Sequence, residues 1–256
     1  MRVEDFNYLY ELEEHFWWFA GMRDVTSVLL GEARALPPGG KILDAGCGTG
    51  GMLSWLKSEA EGAEVYGIDV EPAALQFCRE RGHAKTLQAS ATHLPFADES
   101  FDLVTSFDVL VQIPGAGADE LALREMYRVL RPGGTAFVRV AAYEWMRSGH
   151  DEALNTQRRY RLGELTLKME RAGFRLRRAT YANSFLLPLA ALRRLLLKRV
   201  GLADAGSDVK PLPPSLRWLN RPLAGVLRVE SRLLRRTRTR LPFGLSIICV
   251  AEKPRV

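Results

Sequence analysis

The sequence predicts an α/β fold, a doubly wound sheet of seven strands with a helical insertion before the last strand. Between residues 41 and 181, short apolar runs alternate with segments of helical spacing, which is typical of a sheet covered by helices. The first apolar run ends in a glycine-rich turn, and an acidic residue closes the second run about twenty residues later, as doubly wound folds require. The chain of 256 residues is long enough for one such domain with insertions.

The N-terminal 40 residues are predicted to form helices. Apolar residues recur near helical spacing from Phe6 to Phe19, and a second helix is expected from about Met22. Four consecutive aromatic residues, 16–19, are too many for an exposed helix. They either pack on the core or belong to a lid that covers a ligand and excludes water from it.

The segment KILDAGCGTGGML, residues 41–53, is predicted to be a strand, a tight turn and a helix N-terminus. Glycines without Cβ atoms allow positive φ angles and let a ligand lie against bare backbone beside unpaired N–H groups. The turn is therefore a candidate nucleotide site, although Gly46-x-Gly48-x-x-Gly51 also fits the dinucleotide pattern of nicotinamide enzymes. Asp44 beside this turn would repel a pyrophosphate and favour a cationic ligand. Cys47 is expected to serve as a small residue there, with thiol chemistry as the alternative.

Two further acids follow predicted strands. Asp69 ends the second strand, Ala63 to Ile68, where it is placed to bind ribose hydroxyls; capping the next helix is the alternative role. Asp108 ends the fourth strand, Phe101 to Phe107. Because strand ends beside the first strand border the ligand crevice in such sheets, residues 106–112 are expected to line the reaction site.

These motifs resemble those of class I S-adenosylmethionine-dependent methyltransferases. The resemblance is carried by ILDAGCGTG, YGIDVEP, LPFADESFDLV and VLRPGG between residues 41 and 140, and more loosely by HFWWFAGMR and HDEALNTQRRY. It implies a Rossmann-like, mostly parallel sheet with an antiparallel last strand, and S-adenosylmethionine as cofactor. The motifs look most like bacterial members that act on small-molecule or lipid-linked acceptors.

The resemblance also implies roles for individual residues. The expected cofactor contacts are Asp44, Gly46, Cys47 and Gly48 for the methionine end, Asp69 and Val70 for ribose, Ala91 and Thr92 for adenine, Phe107 and Asp108 near the sulfonium, and Trp18 and Arg23 from the N-terminal arm. No metal is expected. The chain departs from the family at Ser90, where an acid is usual, and at Val111-Gln112, where Glu-His is frequent. Gln112 is expected to face the substrate.

The loop after the fifth strand, AAYEWMRSGHDEALNTQRRYRLGEL, resembles a substrate-facing element of the family. His150 beside Asp151 could act as a general base with an oriented imidazole, and Asp108 is the second catalytic candidate. Arg158 and Arg159, with Tyr160, could grip a phosphate or carboxylate. The alternative for these residues is a set of salt bridges that structure the loop. The helix face at Asp119 is expected to be solvated.

The positive charge is concentrated late in the chain. The net charge is +6, but residues 184–240 contain thirteen Lys or Arg against three acids. This amphipathic segment is either a helical cap over the active site or a pair of interfacial helices that meets anionic lipid at the inner membrane surface. No recognition motif accompanies the charge, so no specific nucleic acid is expected.

The domain boundaries follow from these segments: a lid over residues 1–40, the cofactor-binding core over 41–183, the basic insertion over 184–241 and the final strand over 242–256. The absence of an apolar N-terminal run predicts no signal peptide, and three widely spaced cysteines suit a reducing compartment, so the protein is expected in the cytoplasm. The main hypothesis is a methyltransferase. The alternatives are an NAD-dependent oxidoreductase and a non-catalytic cofactor-binding module that docks on membrane or RNA.

Overall fold

The computed structural model describes residues 3–36, 38–199, 213–237 and 240–255, so the predictions for the middle of the basic insertion and for residues 238–239 lie outside the described residues. The α-helices are α1 Val3–His15, α2 Trp17–Glu32, α3 Gly51–Glu59, α4 Pro72–Glu80, α5 Ala118–Val129, α6 Gly149–Ala153, α7 Leu162–Arg171, α8 Leu187–Arg199 and α9 Asn220–Thr237. The strands are β1 Lys41–Ala45, β2 Glu64–Asp69, β3 Thr86–Gln88, β4 Phe101–Phe107, β5 Leu130–Ala141, β6 Arg175–Ala182 and β7 Ser246–Glu252. Short 3-10 helices cover Glu144–Met146 and Pro214–Leu219.

The strands form one seven-stranded sheet in the order β3-β2-β1-β4-β5-β7-β6. The strands β3, β2, β1, β4 and β5 pair in parallel, and β7 runs antiparallel between β5 and β6. This arrangement confirms the predicted fold class. The strand order reverses between β1 and β4, so their carboxyl ends flank the crevice in which doubly wound sheets bind ligands.

The sheet is covered by helices on both faces. On one face, side chains of α2, α3 and α9 pack against Ile42, Leu103 and Phe137 of the central strands. On the other, α5 and α7 contribute Met126 and Leu165 to a second core. The central strands are buried on both faces, and of their polar residues Thr105 on β4 is hydrogen-bonded to Asp44 on β1.

The N-terminal helices divide earlier than predicted. The break falls at Phe16, whose backbone is extended (φ −78°, ψ 134°), and the aromatic residues 17–19 form the first turn of α2. Gly21 lies inside α2, at the point where α9 crosses it. A Cβ at Gly21 would lie 2.4 Å from Cδ1 of Leu227, so a larger residue would collide with α9. The glycine therefore permits close helix packing and does not end a helix.

The helix α9 does not have the position predicted for a cap over the active site. Its apolar side chains Leu227 and Leu234 are fully buried against α2 and the sheet, so α9 is part of the covering layer. The buried Glu230 carboxylate accepts hydrogen bonds from the backbone N–H groups of Asn183 and Ser184, which ties α9 to the end of β6. Within the described residues, no helix combines the length and apolar character needed to cross a bilayer.

Candidate functional site

The turn after β1 has the backbone that the sequence predicts. Gly46 and Gly48 have φ angles of +97° and +52°, which glycine adopts without steric cost. A Cβ on Gly46 would lie 2.2 Å from a methyl group of Val109, so the turn also packs closely against the loop after β4. The Gly48 N–H donates to Oδ2 of Asp69 (2.9 Å), while Oδ1 of the same carboxylate accepts the Glu71 N–H (3.0 Å). The carboxylate at the end of β2 is thereby fixed beside the turn.

Asp44 lies on the same face of the sheet as Asp69, one strand away. Its side chain is 1% exposed and accepts a hydrogen bond from Oγ1 of Thr105 on β4 (2.8 Å). Burial raises the pKa of Asp44 to about 7, although the Thr105 hydrogen bond and the charge of Arg139 both favour the ionised form. A cation bound next to this carboxylate would be stabilised by it and would in turn lower its pKa.

The end of β4 carries an ion pair that the sequence analysis did not anticipate. The Asp108 carboxylate accepts a hydrogen bond from Nε of Arg139 on β5 (2.8 Å). The Arg139 guanidinium is buried and lies over the rings of Trp18 (4.8 Å) and Phe107 (5.0 Å). Three residues predicted to contact the cofactor, Trp18, Phe107 and Asp108, are therefore held together by a fourth that was not predicted.

The helix α1 lies across the glycine turn. Its Glu13 carboxylate accepts hydrogen bonds from Oγ1 of Thr49 (2.6 Å) and from the Gly51 N–H at the start of α3 (3.0 Å). Arg81 donates to the same carboxylate (3.3 Å) and to the Tyr10 carbonyl (2.7 Å). Burial raises the pKa of Glu13 to about 7, while its hydrogen bonds and Arg81 oppose that shift. One carboxylate thus fastens the N-terminal helix to the turn.

The remaining predicted cofactor contacts occupy neighbouring strand ends. Val70 follows Asp69 and is 54% exposed, and Ala91 is buried in the loop after β3. The Thr92 N–H donates to Oγ of Ser90 (3.2 Å), so the serine at the family's acidic position structures this loop. The Cys47 thiol points into the core, 3.8 Å from Sγ of Cys78. This contact and burial raise the pKa of Cys47, which agrees with its role as a small residue and not with thiol chemistry.

Arg23 makes contacts other than those expected of a cofactor ligand. Its Nη1 donates to the Glu13 carbonyl (2.7 Å), so the guanidinium caps the C-terminal end of α1. It borders a recess of about 270 Å³ between α1, α2 and α3 that also exposes Trp55 and Arg81. The observed role of Arg23 is to hold α1, and a cofactor contact stays a prediction that these hydrogen bonds do not support.

Asp151, which was expected to orient the imidazole of His150, has further hydrogen-bond partners in the loop. Asp151 is 1% exposed and accepts hydrogen bonds from Nε (2.7 Å) and Nη2 (3.1 Å) of Arg159. It also accepts the Ser148 N–H (2.8 Å) in a capping box at the start of α6. Both oxygens of Asp151 are therefore engaged within the loop, and a role of His150 as general base stays a prediction.

The other predicted substrate residues belong to a second network in this loop. The buried carboxylate of Asp119 accepts hydrogen bonds from Tyr160 Oη (2.7 Å) and Arg158 Nη1 (3.1 Å), and Lys168 pairs with it as well (3.0 Å). Asp119 is 3% exposed, so the expectation of a solvated face was wrong for this residue. Arg158, Arg159 and Tyr160 therefore have the loop-structuring contacts given above as the alternative. Gln112, which was expected to face the substrate, is half-buried.

Two functional candidates were missed, and each had a weak signal. Arg139 is a lone charge inside the apolar run AFVRVAA, where an unpaired cation would be costly. Glu13 follows Leu9 by four positions and therefore lies on the apolar face of α1. Within the described residues, no group of three or more His, Cys, Asp or Glu side chains is arranged to hold a metal ion.

Comparison with known proteins identifies the segment that contains the glycine turn and the ends of β1, β2 and β4. Residues 43–138 match the family model described as a methyltransferase domain. The chain is 39% identical over 103 residues to the methyltransferase GfsG of Streptomyces halstedii, covering 38% of this chain and 36% of that protein. It is 36% identical over 105 residues to the fatty-acid O-methyltransferase of Mycolicibacterium smegmatis, covering 40% and 37%. The chain therefore matches less than half the length of these relatives.

Solved structures extend the likeness to the whole fold. A SAM-dependent methyltransferase from Thermotoga maritima superposes with a TM-score of 0.57 at 20% identity, covering 97% of both chains. At this identity the similarity establishes the fold alone.

Proposed function

We propose that this chain, which carries the methyltransferase domain of the class I S-adenosylmethionine-dependent methyltransferases, transfers a methyl group to a small-molecule or lipid-linked acceptor. The observation that supports this most is the placement of Asp44 and Asp69. The two carboxylates flank a turn of positive-φ glycines on one face of the sheet, at the point where the strand order reverses. A nucleoside with a cationic centre suits that arrangement better than a pyrophosphate does.

S-adenosylmethionine supplies, when bound, a methyl group on a positively charged sulfur, so the protein need only bind, align and shield the reactants. Gly46 and Gly48 offer bare backbone for the methionine end, and the buried charge of Asp44 favours the cationic form of the ligand. Asp69 is proposed to bind the ribose hydroxyls, and Ala91 with Thr92 is proposed to border the adenine. The carboxylates of Asp44 and Asp69 suit the cofactor in charge.

The rest of the site positions the acceptor and excludes water. The Asp108 and Arg139 pair, covered by Trp18, forms a rigid polar wall at the end of β4. His150 is proposed as the group that accepts a proton from the acceptor. The helix α1 is proposed as the lid, because it already covers the turn through Glu13.

The acceptor is proposed to be small or amphiphilic, and the protein is proposed to work in the cytoplasm. No specific nucleic acid is expected as a partner. The similarity to a fatty-acid O-methyltransferase supports an apolar acceptor as one member of this class.

Calorimetry with S-adenosylhomocysteine tests the cofactor assignment. Asp69→Ala should weaken binding by about 1 to 3 kcal/mol, because polar groups of the ligand lose their partner. Asp98→Ala is the matched control, since Asp98 forms an exposed ion pair before β4, at the opposite edge of the sheet. No binding of this ligand together with clear binding of NAD would refute the assignment in favour of an oxidoreductase.

The acceptor class is tested with radiolabelled S-adenosylmethionine and a cell extract divided into lipid and aqueous fractions. Label in the organic phase identifies a lipid-linked acceptor, and label in the aqueous phase identifies a water-soluble one. If binding is retained but neither fraction is labelled, the non-catalytic module becomes the better explanation.

A further inference from the structure

We infer that the edge of the sheet that carries the active site docks on an anionic membrane surface through a docking surface formed by α8, the 3-10 helix Pro214–Leu219 and the first turn of α9. This inference rests on the proposed function and deepens it, because it names the source of the acceptor. An amphiphile held in the bilayer would then reach the site without leaving the membrane.

The docking surface exposes large apolar side chains. Leu189 and Leu192 on α8 are 62% and 55% exposed, and Phe185, just before α8, is 49% exposed. In the 3-10 helix, Trp218 is 67% exposed and Leu216 is 41% exposed. Several apolar groups of this size within each of two short segments mark an interaction surface, whereas single exposed leucines are ordinary.

The exposed charges in the described part of this region have one sign. In the parts of 185–236 whose side chains the structure describes, every exposed charged residue is an arginine, at positions 193, 217, 221, 228, 232, 235 and 236. The acid of these segments, Glu230, is 0% exposed and bound to backbone N–H groups. An anionic partner therefore meets arginines without facing exposed carboxylates from the same segments.

The docking surface adjoins the candidate active site. The helix α8 begins five residues after β6 ends, and Arg194 donates to the Met146 carbonyl beside the exposed Trp145. At the other side, Oδ1 of Asn220 accepts the N–H of Trp17, whose neighbour Trp18 covers Arg139. Both attachments lie at the carboxyl ends of the strands, where the cofactor and acceptor are proposed to meet.

A membrane surface fits these side chains better than a nucleic acid does. Leucines 189, 192 and 216 offer neither hydrogen bonds to phosphate or bases nor aromatic faces for stacking. Arginine with leucine, phenylalanine and tryptophan on short amphipathic elements is the composition of a segment that lies in the plane of the interface. The helices concerned are too short and too charged to span a bilayer, so the contact is peripheral.

Vesicle flotation of the whole chain tests the inference. The protein should float with vesicles of phosphatidylcholine and phosphatidylglycerol and not with phosphatidylcholine alone. Leu189→Asp combined with Leu192→Asp, and separately Trp218→Ser, should reduce the floating fraction by about tenfold, because apolar burial and charge attraction both contribute. Leu121→Asp is the matched control, since Leu121 is 51% exposed on α5, which covers the other face of the sheet.

Equal flotation of the parent and both variants, equal flotation on neutral vesicles, or binding of a random RNA without vesicle binding would each overturn the inference. Circular dichroism of each variant checks that the fold is intact. Calorimetry with S-adenosylhomocysteine separates this result from the proposed function: a chain that floats but does not bind the ligand keeps the docking surface and loses the methyltransferase assignment. A chain that binds the ligand but does not float keeps the methyltransferase assignment and loses the docking surface.

Discussion

The Glu13→Gln variant provides a quantitative test of how α1 is fastened to the glycine turn. Glu13 is buried, and its pKa is raised from 4.5 to about 7 in the folded protein. A carboxyl whose folded pKa is raised contributes stability that is fully present below the unfolded pKa and is lost as the pH rises through the folded pKa. A shift of this size corresponds to ~3 kcal/mol.

The Glu13→Gln variant should not lose stability in this way as the pH rises. Glutamine keeps an acceptor for Thr49 and Gly51 but cannot ionise, so it does not carry the cost of a buried charge at high pH. The free energy of unfolding of Glu13→Gln minus that of the parent should therefore increase by ~3 kcal/mol between about pH 4 and about pH 8. Most other titrating groups are present in both proteins and cancel in this difference. The Glu13 charge also raises the pKa of Asp44, so its removal changes the difference in the same direction.

Urea unfolding monitored by tryptophan fluorescence at several pH values measures this difference. Glu14→Gln is the matched control: Glu14 is the next residue, its side chain is 56% exposed, and it also bonds Arg81. Its curve should run parallel to that of the parent. A Glu13→Gln difference that does not change with pH would refute the assignment of a raised pKa to the buried Glu13 carboxyl.

Three further substitutions test other contacts. Gly46→Ala should abolish detectable S-adenosylhomocysteine binding by calorimetry, because the residue has φ +97° and its new methyl group would meet Val109; wild-type affinity would contradict this. Gly21→Ala should lower the free energy of unfolding by about 1 to 3 kcal/mol through overpacking against Leu227, and an unchanged urea midpoint would show that α9 can move aside. Arg159→Met should destabilise the protein by about 3 to 5 kcal/mol by leaving the Asp151 carboxylate buried without its cation. Limited proteolysis should then cut the loop around residue 150 faster, whereas unchanged cleavage would argue against the structural role of this pair.

The sheet was predictable because its strands carry strong local signals. The strands β1 and β4 begin and end at the predicted residues: each contains an apolar pair, Ile42-Leu43 or Leu103-Val104, and is followed by the glycine turn or by Asp108. The glycine turn was predictable for the same reason: positive φ angles select glycine, and the sequence supplies it at each such position. Asp44 and Asp69 lie on one face because Asp44 pairs with Gly67, and side chains two residues apart on a strand point to the same face.

What the sequence could not supply are partners distant along the chain. Nothing near Asp151 shows that Arg159 will take its carboxylate, and nothing near Asp119 shows that Tyr160 and Lys168 converge on it. Adjacent residues such as His150 and Asp151 invite a local pairing, but successive positions on a helix do not face each other. The helix boundary at Phe16 was missed because apolar residues recur near helical spacing on both sides of it, from Phe6 to Phe19.

The seam between α2 and α9 has a consequence for how this protein tolerates change. The two helices are separated by about two hundred residues of sequence, yet Gly21 of α2 and Leu227 of α9 pack closely against each other. Shortening the chain at its beginning, or excising the late basic region, would uncover the same apolar strip from opposite sides. Substitutions in α2 and α9 should therefore be coupled: a changed leucine in α9 should be matched by a changed small residue in α2.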